Sequence, residues 1–392
     1  MEGSARYASD RVLITVKLID GQTGTHLWSD EYDRDLADVF AVQAEIAENI
    51  ALALEAELVP SERERIEEPY TDSPEAYAFY LRALDAGAFS FDISESYLDQ
   101  AIKLDPNFAV ALATKAYFVA QTIAMRLAGT GVITQAAELE AAVRESAERA
   151  LQLDPSLGLA HAALAELHLD YWREDEARAA FELAAELSPN DPMVLSQFAW
   201  FNSMTGEYRD AKSLARRVID LSPGPEQIQV IGETYMFSGD LDTAIAIAQE
   251  AVNTSPADAG AYFNLAEKQA VRGNHEAALE NLQIWEQLGY SGAPGERARG
   301  AQLYSHLGRK EDAERLFVQQ QEMPASDAQN ALAFFAIKDY GESLRLLRAA
   351  AESQYPEPGD TLTILVKVNI WNDPILNQPD FVEVRRRLGF GE

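Results

Sequence analysis

Few residues of this chain have the types and spacing needed to bind a metal ion or transfer a proton. Of the five histidines, His161 and His168 lie seven residues apart, with Glu166 and Asp170 close by. On a helix, this spacing puts both imidazoles on one face, an arrangement compatible with a metal site. Three acidic residues in the 170–175 segment could form a catalytic pair, but a solvated turn between helices explains them better.

Motifs of the common enzyme classes are missing from the sequence. It contains no phosphate-binding loop, no Gly-x-Ser-x-Gly turn, no His-Glu-x-x-His and no calcium-binding loop. It also has no cysteine, which excludes disulfides and cysteine metal sites. We therefore predict that the chain is not an enzyme, with no catalytic residue, no bound metal and no cofactor.

Acidic residues outnumber basic ones by 64 to 32, which gives a formal net charge of −32. Such a surface repels a nucleic-acid backbone and anionic lipids. No apolar run approaches the roughly 18 residues of a membrane span. The sequence thus predicts neither nucleic-acid binding nor membrane insertion. The charge favours basic partners, although adaptation to a saline habitat explains it equally well.

A short proline-containing motif recurs along the chain. Its spacing indicates the secondary-structure elements that position the side chains. The last three intervals between these prolines are 34, 34 and 33 residues. A period near 34 is typical of a solenoid of helix pairs, which offers an extended surface for binding. The prolines are Pro106, Pro155, Pro189, Pro223 and Pro256.

Small residues keep the same distance from each proline, which predicts two closely packed antiparallel helices in every repeat. A small side chain at a helix crossing lets the two axes approach. The proline itself follows the second helix, which it cannot continue. The small residues in three successive repeats are Ala165 and Ala177, then Ala199 and Ala211, then Gly232 and Ala244.

The first 60 residues have a different pattern. Residues 11–19 alternate as a strand does, 20–24 form a turn, and 25–32 can return as the second strand of a hairpin. From residue 38 to about 58 the apolar residues recur at helical spacing, and the charged run 61–68 is typical of a linker.

In residue pattern, the repeats resemble tetratricopeptide repeats. The resemblance implies a mainly α fold, a right-handed α-α superhelix, after a small incomplete α+β segment. It divides the chain into that segment (1–60), a linker (61–73), about eight repeats (74–353) and a helical tail (354–392). In this repeat, the positions of His161 and His168 hold packing residues, so we favour packing over a metal site.

The ends of the chain resemble a second family. Segments 2–4, 16–20, 26–28, 32–36 and 39–43, with 365–368 and 379–390, are similar to TolB-like domains followed by tetratricopeptide arrays in bacterial regulatory proteins. In those proteins a class III nucleotide cyclase or a winged-helix domain often precedes this part. The resemblance implies that the chain is a fragment or has a late start codon. It also implies a half-sheet able to self-associate. We expect a cytoplasmic protein, or a periplasmic one if a membrane span lies upstream.

The repeat register predicts which side chains line a peptide-binding groove. In this family the first helix of each pair faces the groove, where aromatic residues and methionines suit a protein or peptide ligand such as an amphipathic helix. Glutamates among them favour a basic partner. The alternative is that these residues only pack between repeats. They are Tyr117, Glu166, Leu169, Trp200, Met204, Glu233, Met236, Phe237, Phe263 and Glu267.

Overall fold

The computed structural model describes residues 2–8, 11–19, 25–35, 39–53, 69–87, 91–128, 133–170, 173–221, 224–289, 296–322, 327–352, 379 and 381–383. The chain divides into two compact units. One comprises Met1–Asp85 with Ser96–Ala111, and the other comprises Ala86–Glu95 with Leu112–Glu392. The predicted turn at 20–24, the charged run 61–68 and most of the predicted tail 354–392 lie outside the described residues.

A small sheet and one helix open the first unit, which confirms the predicted α+β segment. The strands are antiparallel, in the order in which they follow along the chain. The central strand is the one that the alternation of β-branched residues predicts. The elements are β1 (Glu2–Ala8), β2 (Arg11–Ile19), β3 (His26–Asp35) and α1 (Val39–Ala53).

One face of this sheet forms a core with α1. Val42 of the helix packs against Val16 of β2 and Tyr32 of β3, and all three side chains are buried. Asn49 Nδ2 donates a hydrogen bond to Tyr32 Oη over 3.0 Å, which gives the phenol a polar partner. Among the described strands, β1 and β3 pair only with β2, so each has an outer edge. Self-association through this sheet stays a prediction.

Within the described residues, sixteen further helices follow one another without an intervening strand. They are α2 (Pro74–Ala86), α3 (Phe91–Leu104), α4 (Ala109–Ala128), α5 (Ile133–Leu153), α6 (Gly158–Asp170), α7 (Glu174–Leu187), α8 (Pro192–Thr205), α9 (Tyr208–Asp220), α10 (Pro225–Phe237), α11 (Leu241–Thr254), α12 (Ala259–Arg272), α13 (His275–Leu288), α14 (Glu296–His306), α15 (Lys310–Gln321), α16 (Asp327–Ala336) and α17 (Tyr340–Glu352).

From α6 onward these helices pack as pairs, as the repeat period predicts. Each even-numbered helix contacts the odd-numbered helix that follows it, and α6, α8, α12 and α14 also contact the first helix of the next pair. The small residues lie where expected: Ala199 and Ala211 of the pair α8–α9 are completely buried, as are Ala165 and Ala177 of α6–α7. A larger side chain there would separate the axes, so these residues explain the close pairing.

Local signals set where each pair begins and turns. Asp191 and Asp258 precede α8 and α12, and each carboxylate accepts a hydrogen bond from the backbone N–H two residues later, over 2.9 and 2.8 Å. Between the two helices of a pair, Gly206 and Gly273 have φ values of 92° and 93°, a left-handed conformation that favours glycine. The start and the turn of these two pairs therefore follow from residues encoded within each of them.

Candidate functional site

The ten predicted groove residues all lie within the second unit on even-numbered helices, which from α6 onward are the first helices of pairs. We call the surface that these ten residues form on α4, α6, α8, α10 and α12 the first-helix surface. By helix, the residues are Tyr117 on α4, Glu166 and Leu169 on α6, Trp200 and Met204 on α8, Glu233, Met236 and Phe237 on α10, and Phe263 and Glu267 on α12.

Trp200, Met204, Met236 and Phe237 come together in one cluster, although they belong to two repeats. The two methionines are each 4 % exposed and Phe237 is 7 % exposed, because α8 and α10 pack directly against each other. Trp200 is half-buried at the edge of this cluster. Of the four, Trp200 therefore offers the accessible aromatic surface, and the other three are almost completely buried.

Tyr117 is also buried, and its hydroxyl connects α4 to the start of α8. Tyr117 Oη donates to the backbone carbonyl of Met193 over 3.3 Å and accepts from Gln121 Nε2 over 2.8 Å. A buried phenol needs such partners. Tyr117 thus holds two first helices in position. Leu169 and Glu166 on α6 are half-buried and lie closer to solvent.

The acidic residues of the first-helix surface differ in environment. Glu233 is half-buried, whereas Glu267 is buried and lies beside Arg299 of the next repeat. Arg299 Nη2 donates to both carboxylate oxygens of Glu267, over 3.1 and 3.3 Å. The same guanidinium lies over the Phe263 ring, 5.2 Å from its centre. The negative charge of Glu267 is therefore largely balanced within the protein.

Lys268 is the least expected residue of this surface. Its side chain is 1 % exposed, and its ammonium donates to the backbone carbonyl of Asn264 over 3.4 Å. Space for the side chain comes from Gly232 on α10, where an added Cβ would lie 3.4 Å from Lys268 Cε. Burial lowers the pKa of Lys268, and the nearby Glu233 and Glu267 raise it only partly.

Sequence reasoning missed Arg299 and Lys268, and it assigned no basic residue to the groove. No pattern within one repeat points to Lys268, because its position over Gly232 depends on how two successive repeats pack. Arg299 lies on α14, which begins 37 residues after the start of α12, whereas the preceding first helices begin 33 or 34 residues apart. Its position opposite Glu267 depends on packing between two repeats.

Replacing Lys268 by methionine is expected to raise the free energy of unfolding at neutral pH by about 1 kcal/mol, because the apolar chain is kept and the buried amine is removed. The folded-state pKa of Lys268 lies below its usual 10.5, so unfolding takes up a proton between those two values. The free energy of unfolding of the wild type should therefore increase with pH between the folded-state pKa of Lys268 and 10.5. Urea unfolding at several pH values should show this rise in the wild type but not in Lys268→Met. Equal slopes in both proteins would contradict the prediction.

The two histidines first considered as metal ligands are half-buried on α6. Burial lowers the pKa of both His161 and His168, and Arg173 lowers that of His168 further. In the part of the chain that the structure describes, no group of three or more histidine and acidic side chains is arranged to hold a metal ion. Both rings fit the packing role that the repeat pattern indicates.

None of the described helices combines the length and the apolar character needed to cross a lipid bilayer. The longest of them, α5, carries charged side chains along its length.

Comparison with known proteins agrees with the helix pairs. A family model described as a tetratricopeptide repeat matches residues 228–258, which cover most of α10 and all of α11. Over 118 residues, the chain is 40 % identical to "Putative adenylate cyclase 3" of Rhizobium meliloti (strain 1021). That match covers 29 % of this chain and 20 % of the relative, so it spans about a fifth of the relative's length.

Two solved structures share the architecture over most of the chain. The human IFIT1 dimer with PPP-AAAA has a TM-score of 0.53 and 20 % sequence identity. The alignment covers 88 % of this chain and 77 % of the IFIT1 chain. The APC/C hetero-tetramer Cut9-Hcn1 has a TM-score of 0.51 and 15 % sequence identity, and the alignment covers 84 % of this chain and 60 % of the matched chain. Together with the repeat match and the paired helices, they show that this chain has the fold of tetratricopeptide-repeat proteins, an α-α superhelix.

Proposed function

We propose that the chain is a non-catalytic interaction scaffold that binds a protein or peptide on its first-helix surface. The observation that carries this proposal is Trp200, a half-buried tryptophan that packs against the cluster containing the buried Met204 and Met236. Partly exposed aromatic anchors over a rigid base are the residues that contribute most to peptide binding. The repeat fold supports the proposal, since solenoids of this kind work by presenting extended surfaces.

The charges of the surface favour a partner with an apolar face and a basic flank, such as an amphipathic helix. Glu166 and Glu233 lie half-buried on either side of the Trp200 cluster, on α6 and α10. Glu267 adds less, because Arg299 already balances it. The net charge of −32 attracts a basic ligand over longer distances and speeds its association. A basic amphipathic helix satisfies both features.

Trp200→Ala should weaken binding of such a partner by at least about 2 kcal/mol, roughly 30-fold in Kd, because an aromatic anchor is lost. The matched control is Tyr208→Ala, which removes an exposed aromatic residue from α9, the second helix of the same pair. A partner is first captured from source lysate with the wild-type chain, and its affinity for each variant is then measured by calorimetry. Equal affinities for wild type and Trp200→Ala would place binding elsewhere.

A second candidate function is that the chain forms the carboxy-terminal regulatory part of a class III nucleotide cyclase. The partial match to a putative adenylate cyclase favours it over a winged-helix regulator. Such a protein would work in the cytoplasm, where its nucleotide substrate is. An antibody against this chain tests the idea in source cells: the captured polypeptide should be longer than 392 residues and should make a cyclic nucleotide. A captured polypeptide without a cyclase domain would rule this candidate out.

A further inference from the structure

Two histidines of neighbouring repeats lie side by side. His275 is the first residue of α13 and His306 is the last residue of α14. Their ring centres are 5.9 Å apart, in an edge-to-face arrangement. Both residues are exposed, so a small ion can reach them from solvent. The repeat-based interpretation of the sequence assigns neither of them a role.

The distance between these two rings is set by a rigid part of the fold. Helices α12 to α15 share one core around the completely buried Trp285 and Leu282. The turn that carries His275 is held by a hydrogen bond from the Asn274 N–H to the Gln269 carbonyl, 2.9 Å long. Because both backbone positions are fixed before any ligand arrives, little ordering cost accompanies binding.

A hydrogen bond orients one of the rings. His306 donates a ring N–H to the backbone carbonyl of Ala270, on α12. A histidine that ligates a metal normally makes such a bond with one nitrogen and binds the ion with the other. Burial and the neighbouring His275 both lower the pKa of His306.

The two arginines near these histidines in sequence are each paired with a carboxylate, which reduces their repulsion of a cation. Arg272, three residues before His275, pairs with Asp242 over 2.7 Å. Arg309, three residues after His306, pairs with Asp312 over 2.6 Å. Each arginine thus has a carboxylate close by, which offsets its repulsion of an incoming divalent ion.

We propose that His275 and His306 form a site for a divalent transition-metal ion, with zinc as the type ion. Borderline metals such as zinc prefer imidazole nitrogen, whereas magnesium and calcium require oxygen ligands. Two imidazoles on one tetrahedral zinc have ring centres about 5 Å apart, a distance within reach of small rotations of the exposed rings. Water completes the coordination, because the described residues bring no third histidine or carboxylate to the pair.

Calorimetric titration of the full chain with zinc chloride tests the proposal. We expect one zinc per chain, with magnesium chloride giving no binding. His275→Ala and His306→Ala should each weaken zinc binding by roughly tenfold or more, since losing even a supporting partner of a ligand has that effect. The matched control is His26→Ala, an exposed histidine of β3, which should bind zinc as the wild type does.

Thermal unfolding provides an independent readout that does not depend on the heat of binding. Zinc should raise the midpoint of unfolding of the wild type and of His26→Ala, because it binds the folded chain. It should not raise the midpoint of His275→Ala/His306→Ala. Circular dichroism confirms that the variants fold, which is expected because both rings are exposed. The proposal is overturned if zinc at millimolar concentration does not bind, or if both single variants bind it with wild-type affinity.

Discussion

Trp285→Ala is expected to lower the free energy of unfolding by about 3–5 kcal/mol, because it removes the largest fully buried side chain among the residues that the structure describes. Trp285 lies on α13 and packs against Phe263 of α12, with ring centres 5.0 Å apart. It also fills the space above Gly300 of α14. The indole therefore joins two successive helix pairs, and neither pair can close the cavity alone. Urea unfolding followed by circular dichroism measures the loss.

The fit between Trp285 and Gly300 supplies the control. A Cβ on Gly300 would lie 2.6 Å from Trp285 Cη2 and 3.0 Å from Leu316 Cδ1, so Gly300→Ala alone should cost about 1–3 kcal/mol through overpacking. In the Trp285→Ala background the indole is gone, and the cost of Gly300→Ala should shrink markedly. Two costs that simply add would show that the residues do not share one packing site.

Arg299→Ala is expected to cost about 3 kcal/mol, because it leaves the carboxylate of Glu267 buried without its cation. The Glu267 side chain is 7 % exposed, and the Arg299 side chain is 30 % exposed. The same change removes the guanidinium from the Phe263 ring. Chemical unfolding at neutral pH measures the effect, and Arg299→Ala/Glu267→Gln should recover part of it, because the uncompensated charge is then absent.

The pair of Arg272 and Asp242 offers a matched comparison. It is shorter, at 2.7 Å, but its side chains are 43 % and 78 % exposed. Solvent screens such a pair, so Arg272→Ala should cost no more than about 1 kcal/mol. If Arg272→Ala and Arg299→Ala lower the stability equally, the burial of Glu267 is not what makes its ion pair important.

The repeat fold was predictable because its signals are local. Proline after the second helix and small residues at the crossings recur in successive units of about 34 residues. The strand at 11–19 and the helix that follows β3 were equally clear from their periodicity. The predicted end of that helix, near residue 58, lies outside the described residues, which reach residue 53. Each of these features depends on a few neighbouring residues.

The groove was only partly predictable, because the repeat register indicates which face of a helix a residue lies on but not how much of its side chain is exposed. It places Trp200 and Met236 on the same side of adjacent first helices, and the structure brings them into one cluster. The two side chains differ in burial, because Met236 is almost completely buried whereas Trp200 keeps accessible surface. How closely two repeats pack decides this, and no single repeat contains that information. The binding role of the set stays a prediction.

By itself, the sequence determined a tetratricopeptide solenoid, a small α+β segment before it and a strongly acidic surface, since periodicity and charge are read residue by residue. Tertiary structure alone decided that Arg299 balances Glu267, that Lys268 is buried above Gly232 and that His275 lies beside His306. The partners of each such pair lie 31 to 36 residues apart. Their contact arises only when successive helix pairs stack, because packing between repeats, rather than any pattern within one repeat, sets their separation.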